Sequence, residues 1–171
     1  MDSFCEQLVK IKKTGLYYAL TGLIWVVAFL ITYITVFISL RISSLIGFFI
    51  LIIFGIYYLA VKLTKMLNIE FEYIIVNHDM DIDKITAKSS RKRVLSINLL
   101  EIQEYGKYND EAVKRLSRKN FDKKFICCNL SDSCSYFVYK HPKKGLLLIV
   151  TEMNDKLIGE AEKSIPRSAK Q

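Results

Sequence analysis

Charge is almost absent from one long stretch of this sequence. Between Leu16 and Val61 the only charged side chain is that of Arg41. Uncharged runs lie on either side of it, at residues 16–40 and 42–61. At roughly 1.5 Å of rise per residue these runs would measure about 37 and about 30 Å as helices, and a hydrocarbon core is about 30 Å thick. The missing charge excludes an ordinary soluble domain here and predicts a transmembrane helical hairpin.

A signal-peptide cleavage site is also missing. The apolar run that follows Lys13 is too long for a signal peptide, and no small-residue site follows it, so we expect the helices to stay attached as an anchor. Lysines flank the hairpin on its outer ends, at Lys10, Lys12, Lys13, Lys62 and Lys65. Because positive charge marks the cytoplasmic side, the sequence predicts a two-pass protein of the cell membrane. Both termini would be cytoplasmic, with residues 1–15 as an N-terminal segment.

No complete metal-binding pattern is present. The stretch "VNHDMDIDK" has three acids at the spacing of the first ligands of an EF-hand: Asp79, Asp81 and Asp83. The glycine and the bidentate glutamate that such a loop requires are replaced by Lys84 and Ser90. No cysteine pair has the spacing of zinc ligands. We therefore predict no metal and no cofactor, buried cysteine thiols, and a β-hairpin turn at residues 77–79.

The sequence after the hairpin changes to short alternating runs, which indicate strands. Six are predicted: Glu70–Val76, Asp81–Lys88, Arg93–Leu99, Lys124–Leu130, Ser135–His141 and Gly145–Thr151. A final helix would be capped by Thr151 or Asn154 and stopped by Pro166. A second candidate, Asn109–Asn120, has a thin apolar face, so it is either a short helix or a loop that orders on a surface.

The net charge of +8 is concentrated in two basic runs, Lys88–Arg93 and Val113–Lys124, which we interpret as turns or loops. A tethered domain gains about 1 kcal/mol for each basic residue brought near an anionic leaflet. Contact with lipid headgroups is one reading, and a solvated basic surface is the other. No nucleic-acid-binding motif is present, so nucleic acid is not expected as a partner.

Several motifs together resemble a known family. The predicted hairpin is followed by "FEYIIV", a turn, "DIDK", a basic run and "LSINLLEIQEY". This order resembles the bacterial pleckstrin-homology-like (PH-like) proteins that carry a paired-helix anchor. "MDSF", the "EFEY" to "DIDKI" segment and the terminal "IPR" are similar to a bacterial family of small membrane proteins with no assigned function. One departure is His78, which follows Asn77 at a position where glycine is expected.

The resemblance implies an α+β membrane protein. Its transmembrane hairpin would be followed, at residues 67–171, by a small antiparallel β-sandwich or partial barrel closed by a C-terminal helix. The expected function is non-enzymatic binding or scaffolding at the inner leaflet, through anionic lipid, a protein partner or self-association. The residues predicted to contact headgroups are Lys88, Arg91, Lys92 and Arg93.

Two alternatives remain open at this stage. The chain could be an accessory or immunity-type subunit of a membrane transport complex, in which the spans contact a partner. It could also be a membrane-tethered hydrolase that uses His78 with Asp79, Asp81 or Asp83. Close packing of helices, within the hairpin or between copies, could use Gly15 with Ala19 and Gly47 with Gly55.

Overall fold

The computed structural model describes residues 4–42, 46–131 and 133–171. The chain forms two compact units. The helical unit comprises residues 12–69, and the β unit combines the residues up to 11 with residues 70–171. The β unit is therefore discontinuous in sequence, because the helical unit is inserted after its first strand.

The helical unit contains two helices, α1 (Gly15–Ser39) and α2 (Ile46–Met66). Both are long and apolar enough to cross a membrane, judged by length and composition. They correspond to the predicted spans, although α2 continues five residues beyond the predicted end at Val61. The predicted link between the spans falls partly on residues 43–45, which lie outside the described residues.

Alanines and aromatic rings form the contact between α1 and α2. Ala28 and Ala60 are buried, and the ring of Tyr57 packs against those of Trp25 and Phe29 with centroid distances of 6.3 and 6.1 Å. A Cβ would meet no described atom within 4 Å at the three glycines proposed for close packing: Gly15, Gly47 and Gly55. Buried alanines and packed aromatic rings, rather than these glycines, lie at the contact between the two helices.

Sheet A is the first sheet of the β unit. Its strands, in spatial order, are β1 (Phe4–Lys10), β2 (Ile69–Val76), β3 (Asp79–Thr86) and β4 (Ser90–Asn98). β1 pairs antiparallel with β2, and β3 pairs antiparallel with β4. Residues 77–78 and 87–89 connect the last three strands as tight turns.

Sheet B contains β5 (Ile102–Lys107), β6 (Lys123–Ile126), β7 (Ser135–His141) and β8 (Gly145–Thr151). Its spatial order is β5-β7-β8-β6. The helix α3 (Asp110–Ser117) lies between β5 and β6 in the chain, and α4 (Asp155–Ser164) follows β8. One-turn 3₁₀ helices occupy Leu99–Glu101 and Arg167–Ala169.

The main core lies between the two sheets and against α4. Its fully buried side chains include Tyr73, Ile82, Phe137 and Ile149. The helix α4 adds Leu157 and Ala161, which recur at helical spacing on one face. A sandwich results because each sheet has one apolar face that must be covered.

Both predicted helices of the β unit are present. Asn154 caps α4 by accepting a hydrogen bond from the Leu157 amide, and the helix ends two residues before Pro166. Asn109 caps α3 by accepting from the Ala112 amide. Ala112 and Leu116 of α3 are buried against the outer face of sheet B, which decides between the helix and the surface loop.

All six predicted strands are present, and β7 and β8 have the predicted ends. Two strands were not predicted, β1 and β5. The expectation of an entirely antiparallel sandwich also needs correction, because β6 pairs parallel with β8. The chain crosses through α3 from β5 at one edge of sheet B to β6 at the other edge. A helical crossover of this kind allows β6 to run in the same direction as β8. The strands that the structure describes form two open sheets and no closed barrel.

Candidate functional site

The aspartate-rich stretch of the sequence forms a hairpin. Asn77 adopts a φ of 56°, in the left-handed region that tight turns require. His78 contacts α4, with its Nδ1 2.9 Å from the Ser164 hydroxyl. Asp81 and Asp83 contact an arginine of β4, and no group of three His, Cys, Asp or Glu among the described residues could hold a metal ion. The stretch therefore connects two strands and fixes them to α4.

The four residues predicted to contact headgroups divide between a turn and a strand. Lys88 lies in the turn between β3 and β4, at a φ of 58°, whereas Arg91, Lys92 and Arg93 lie on β4. The interpretation of this basic run as a turn or loop was therefore wrong for Arg91 and Lys92, whereas Arg93 was predicted as the first residue of this strand. On a strand, alternate side chains point to opposite faces, so the run does not present a single basic surface.

Arg91 and Arg93 are held by carboxylates on the outer face of sheet A. Arg91 lies 2.7 Å from Glu72 of β2. Arg93 lies 2.8 Å from Asp81 and donates to Asp83 at 3.1 Å, and these contacts raise the pKa of Arg93. Both arginine side chains are still about half exposed, at 55% and 54%. The pairs are therefore screened by water, and each contributes little to stability.

Lys88 and Lys92 differ from the two arginines. Both are exposed, and neither forms an ion pair within the described ranges 4–42, 46–131 and 133–171. The register places Lys92 directly opposite Lys84 of β3. Like charges that face each other across a strand pair destabilise a sheet. This end of sheet A therefore carries positive charge that the described part of the β unit does not neutralise.

The position of these lysines follows from the strand directions. β3 ends and β4 begins at the end of sheet A where β1 ends and β2 begins. From that end the chain leaves for α1 through residues 11–14 and returns from α2 through residues 67–68. We call this the linker end of sheet A.

A cavity of about 380 Å³ lies at the linker end, on the outer face of the sheet. It is lined by Leu8, Lys10, Glu70, Glu72, Ile85, Lys88 and Arg91. Sequence reasoning missed Lys10 and Glu70, which lie directly opposite each other on β1 and β2. The sequence assigns Lys10 only to the segment before the first apolar helix. Nothing local identifies β1 as the partner of a strand that follows the two helices.

The second basic run forms a closed network around Glu104 of β5. Glu104 is buried and accepts hydrogen bonds from Lys119 and, at 2.9 Å, from the Tyr136 hydroxyl. Arg115 of α3 lies 2.7 Å from the same carboxylate and also donates to Tyr136. Burial acts to raise the pKa of Glu104, but the hydrogen bonds and charges of its partners outweigh burial and leave that pKa lowered.

All four cysteines are buried, as expected. The Sγ atoms of Cys128 and Cys134 lie 3.2 Å apart, and burial raises the pKa of Cys127 to about 12. A thiol needs a lowered pKa to act as a nucleophile. This environment does not favour thiol chemistry.

Two four-stranded sheets closed by a C-terminal helix, with a pair of apolar helices inserted after the first strand, define the class as a PH-like β domain joined to a helical hairpin. The model of one family, described as bacterial PH-like domain (DUF6106), matches residues 1–171. The chain belongs to this family. No curated protein and no solved structure matches the chain.

Proposed function

We propose that this protein is a membrane-anchored, non-enzymatic module that binds phospholipid headgroups at the inner leaflet. The helices α1 and α2 form the two-pass anchor, and the lysines at their outer ends keep both termini cytoplasmic. The observation that carries the proposal is the unneutralised positive charge of Lys84, Lys88 and Lys92 at the linker end of sheet A.

Short linkers connect the positively charged linker end of sheet A to the two helices. Residues 11–14 and 67–68 are short, so the linker end of sheet A is tethered to an anchor that would lie in the bilayer. Each basic residue near an anionic surface contributes about 1 kcal/mol. Sheet A accepts a cost for placing Lys84 opposite Lys92, and an anionic headgroup between or beside them would offset that cost.

The four predicted residues differ in whether they already have a carboxylate partner. Lys88 and Lys92 are available for headgroups, whereas Arg91 and Arg93 already have carboxylate partners. Reversing the arginines would place acids beside Glu72, Asp81 and Asp83, and any loss of binding could then reflect loss of structure. Reversing Lys88 and Lys92 avoids this problem.

The test uses the full chain in a non-ionic detergent, because β1 belongs to the β unit and a fragment starting after α2 would lack it. Native mass spectrometry counts bound phosphatidylglycerol and phosphatidylcholine. The double variant Lys88→Glu/Lys92→Glu should weaken phosphatidylglycerol binding about tenfold, equivalent to about 1.4 kcal/mol. Lys140→Glu/Lys143→Glu, on exposed lysines of β7 and of the turn that follows it, makes the same charge change and should leave binding unchanged.

Equal binding by wild type and both variants would overturn the proposal. The basic linker end would then be a solvated surface, and a protein partner of the two helices, as in a transport complex, would become the leading candidate. Salt provides a second readout, because headgroup binding through lysines must weaken as ionic strength rises.

A further inference from the structure

We infer that the cavity at the linker end of sheet A binds a headgroup that carries both a phosphate and a primary amine, the chemistry of phosphoethanolamine. This inference rests on the proposed headgroup-binding function and specifies its ligand. The argument depends on the charges that line the cavity and on which of them already have partners.

Glu70 is the residue that a purely basic site would not contain. It is 8% exposed and lines the cavity. Its carboxylate makes no hydrogen bond or ion pair with any other residue that the structure describes. A carboxylate on a residue with so little exposure gains from a cation or a hydrogen-bond donor that replaces part of its water. Lys10 lies directly opposite Glu70 on β1 but forms no ion pair with it, so the carboxylate of Glu70 is open to a cation supplied by a ligand.

The basic residues of the cavity leave the opposite requirement. Glu72 pairs with Arg91, and this pair is neutral as a unit. Lys10 and Lys88 remain, and neither forms an ion pair within the described part of the chain. The lining therefore presents two ammonium groups and one carboxylate that have no partner. A phosphodiester with a nearby amine matches both signs, with the phosphate at the lysines and the amine at Glu70.

Other common headgroups match this lining less well. Phosphatidylglycerol offers the phosphate but no cation for Glu70. The quaternary ammonium of phosphatidylcholine has no N–H, so it cannot donate a hydrogen bond to the carboxylate. A cavity of about 380 Å³ falls at the lower end of the range for small-ligand pockets, about 300–1,000 Å³. A primary amine therefore offers Glu70 both N–H donors and a positive charge, whereas the hydroxyls of phosphatidylglycerol offer donors without charge.

The full chain in non-ionic detergent is titrated with short-chain phosphatidylethanolamine, phosphatidylcholine and phosphatidylglycerol. Isothermal titration calorimetry measures the affinity for each lipid. Wild type should bind phosphatidylethanolamine about fivefold more tightly than phosphatidylcholine, the value of one partly exposed ion pair. Glu70→Gln should abolish this preference. Glu6→Gln should preserve it, because Glu6 lies exposed on the same face but outside the cavity.

The outcomes separate the two proposals. A preference for phosphatidylethanolamine that survives Glu70→Gln, or its absence in wild type, overturns the amine inference. If phosphatidylglycerol binding still depends on Lys88 and Lys92, the proposed function stands in that case. If lipid binding by wild type does not depend on Lys88 and Lys92, the proposed function itself is overturned. Thermal unfolding of Glu70→Gln verifies that this variant is folded.

A further titration distinguishes two sources of the same chemistry. Soluble glycerophosphoethanolamine carries the phosphate and the amine without acyl chains. Weaker binding of the soluble compound than of the lipid would support a membrane headgroup as the ligand. Equal binding, lost in Glu70→Gln, would support the same site for a soluble ligand.

Discussion

The outer faces of sheets A and B differ in how far their basic side chains are enclosed by the fold. Each face has buried acids and a basic run beside it. On sheet B, α3 covers the face, and Arg115 and Lys119 close a network around Glu104. On sheet A, no described element plays the part of α3, and Arg91 and Arg93 remain half exposed. A basic run therefore closes a network within the fold where a helix covers it and remains exposed to solvent where no described element covers it.

The two networks also differ in how completely they satisfy their carboxylates. Glu104 has three partners, one of which is the fully buried hydroxyl of Tyr136. Glu70 on sheet A has no partner in the described part of the β unit. Four predictions compare the two sheets further, all for the full chain in detergent.

The largest expected effect is on Glu104. Glu104→Ala should lower the free energy of unfolding by about 2–3 kcal/mol, because it leaves the buried Tyr136 hydroxyl and two cations without their acceptor. Glu72→Ala should cost only about 0–1 kcal/mol, because Arg91 can turn to water. Urea denaturation followed by circular dichroism measures both. Equal losses would contradict the distinction between a closed and an open network.

A smaller effect is expected from acid, which protonates Glu104 without removing it. The folded state lowers the pKa of this carboxyl, so below the unfolded-state value of about 4.3 the unfolded chain binds more protons than the folded chain. The stability that Glu104 contributes is therefore present above that pH and is lost as pH falls through the folded-state pKa. Glu104→Gln should flatten this part of a pH titration of stability. An unchanged slope would assign the acid sensitivity to other groups.

Turn chemistry gives the third difference between the sheets. The turn before β8 uses glycine at positive φ, at Gly145, whereas the turn before β4 places Ala87 and Lys88 at φ values of 56° and 58°. Ala87→Gly should raise the free energy of unfolding by up to about 1 kcal/mol, because glycine adopts this conformation without steric cost. Ala112→Gly in α3 should have the opposite sign. A loss of stability in Ala87→Gly would show that this turn is not strained.

The smallest effect is expected from salt. The exposed pairs of Arg91 and Arg93 should weaken as sodium chloride rises to about 1 M, where the Debye length is about 3 Å. The stability cost of Glu72→Ala should then shrink by a few tenths of a kcal/mol, and that of Glu104→Ala should change less. The comparison is made by repeating the urea titrations at both salt concentrations. An equal response of both variants would place the two networks in the same environment.

The sequence allowed local features to be predicted and left pairing undetermined. β7, β8 and the Asn154 cap follow from residues that are neighbours in the chain. β1 was missed because its partner, β2, lies beyond the two helices, and a seven-residue segment with two buried side chains, Cys5 and Val9, has little periodicity of its own.

The arrangement of the basic residues follows only in part from the sequence, for the same reason. A basic run at residues 88–93 is visible in the sequence, but the strand register decides which of its members meet carboxylates. The register pairs Arg93 with Asp83 and places Lys92 opposite Lys84. Glu70 and Lys10 face each other only because β1 pairs with β2, and the two helices separate these strands in the sequence. No local pattern could indicate this pairing.

The most direct test compares two double charge reversals by lipid binding and by stability. Lys88→Glu/Lys92→Glu should weaken phosphatidylglycerol binding about tenfold and change the free energy of unfolding by less than about 0.5 kcal/mol. Arg115→Glu/Lys119→Glu should lower that free energy by more than about 2 kcal/mol, and the fraction that remains folded should bind lipid as wild type does. If both variants lost stability equally, or if neither lost lipid binding, the claim that the open basic run serves a ligand and the covered run serves the fold would be contradicted.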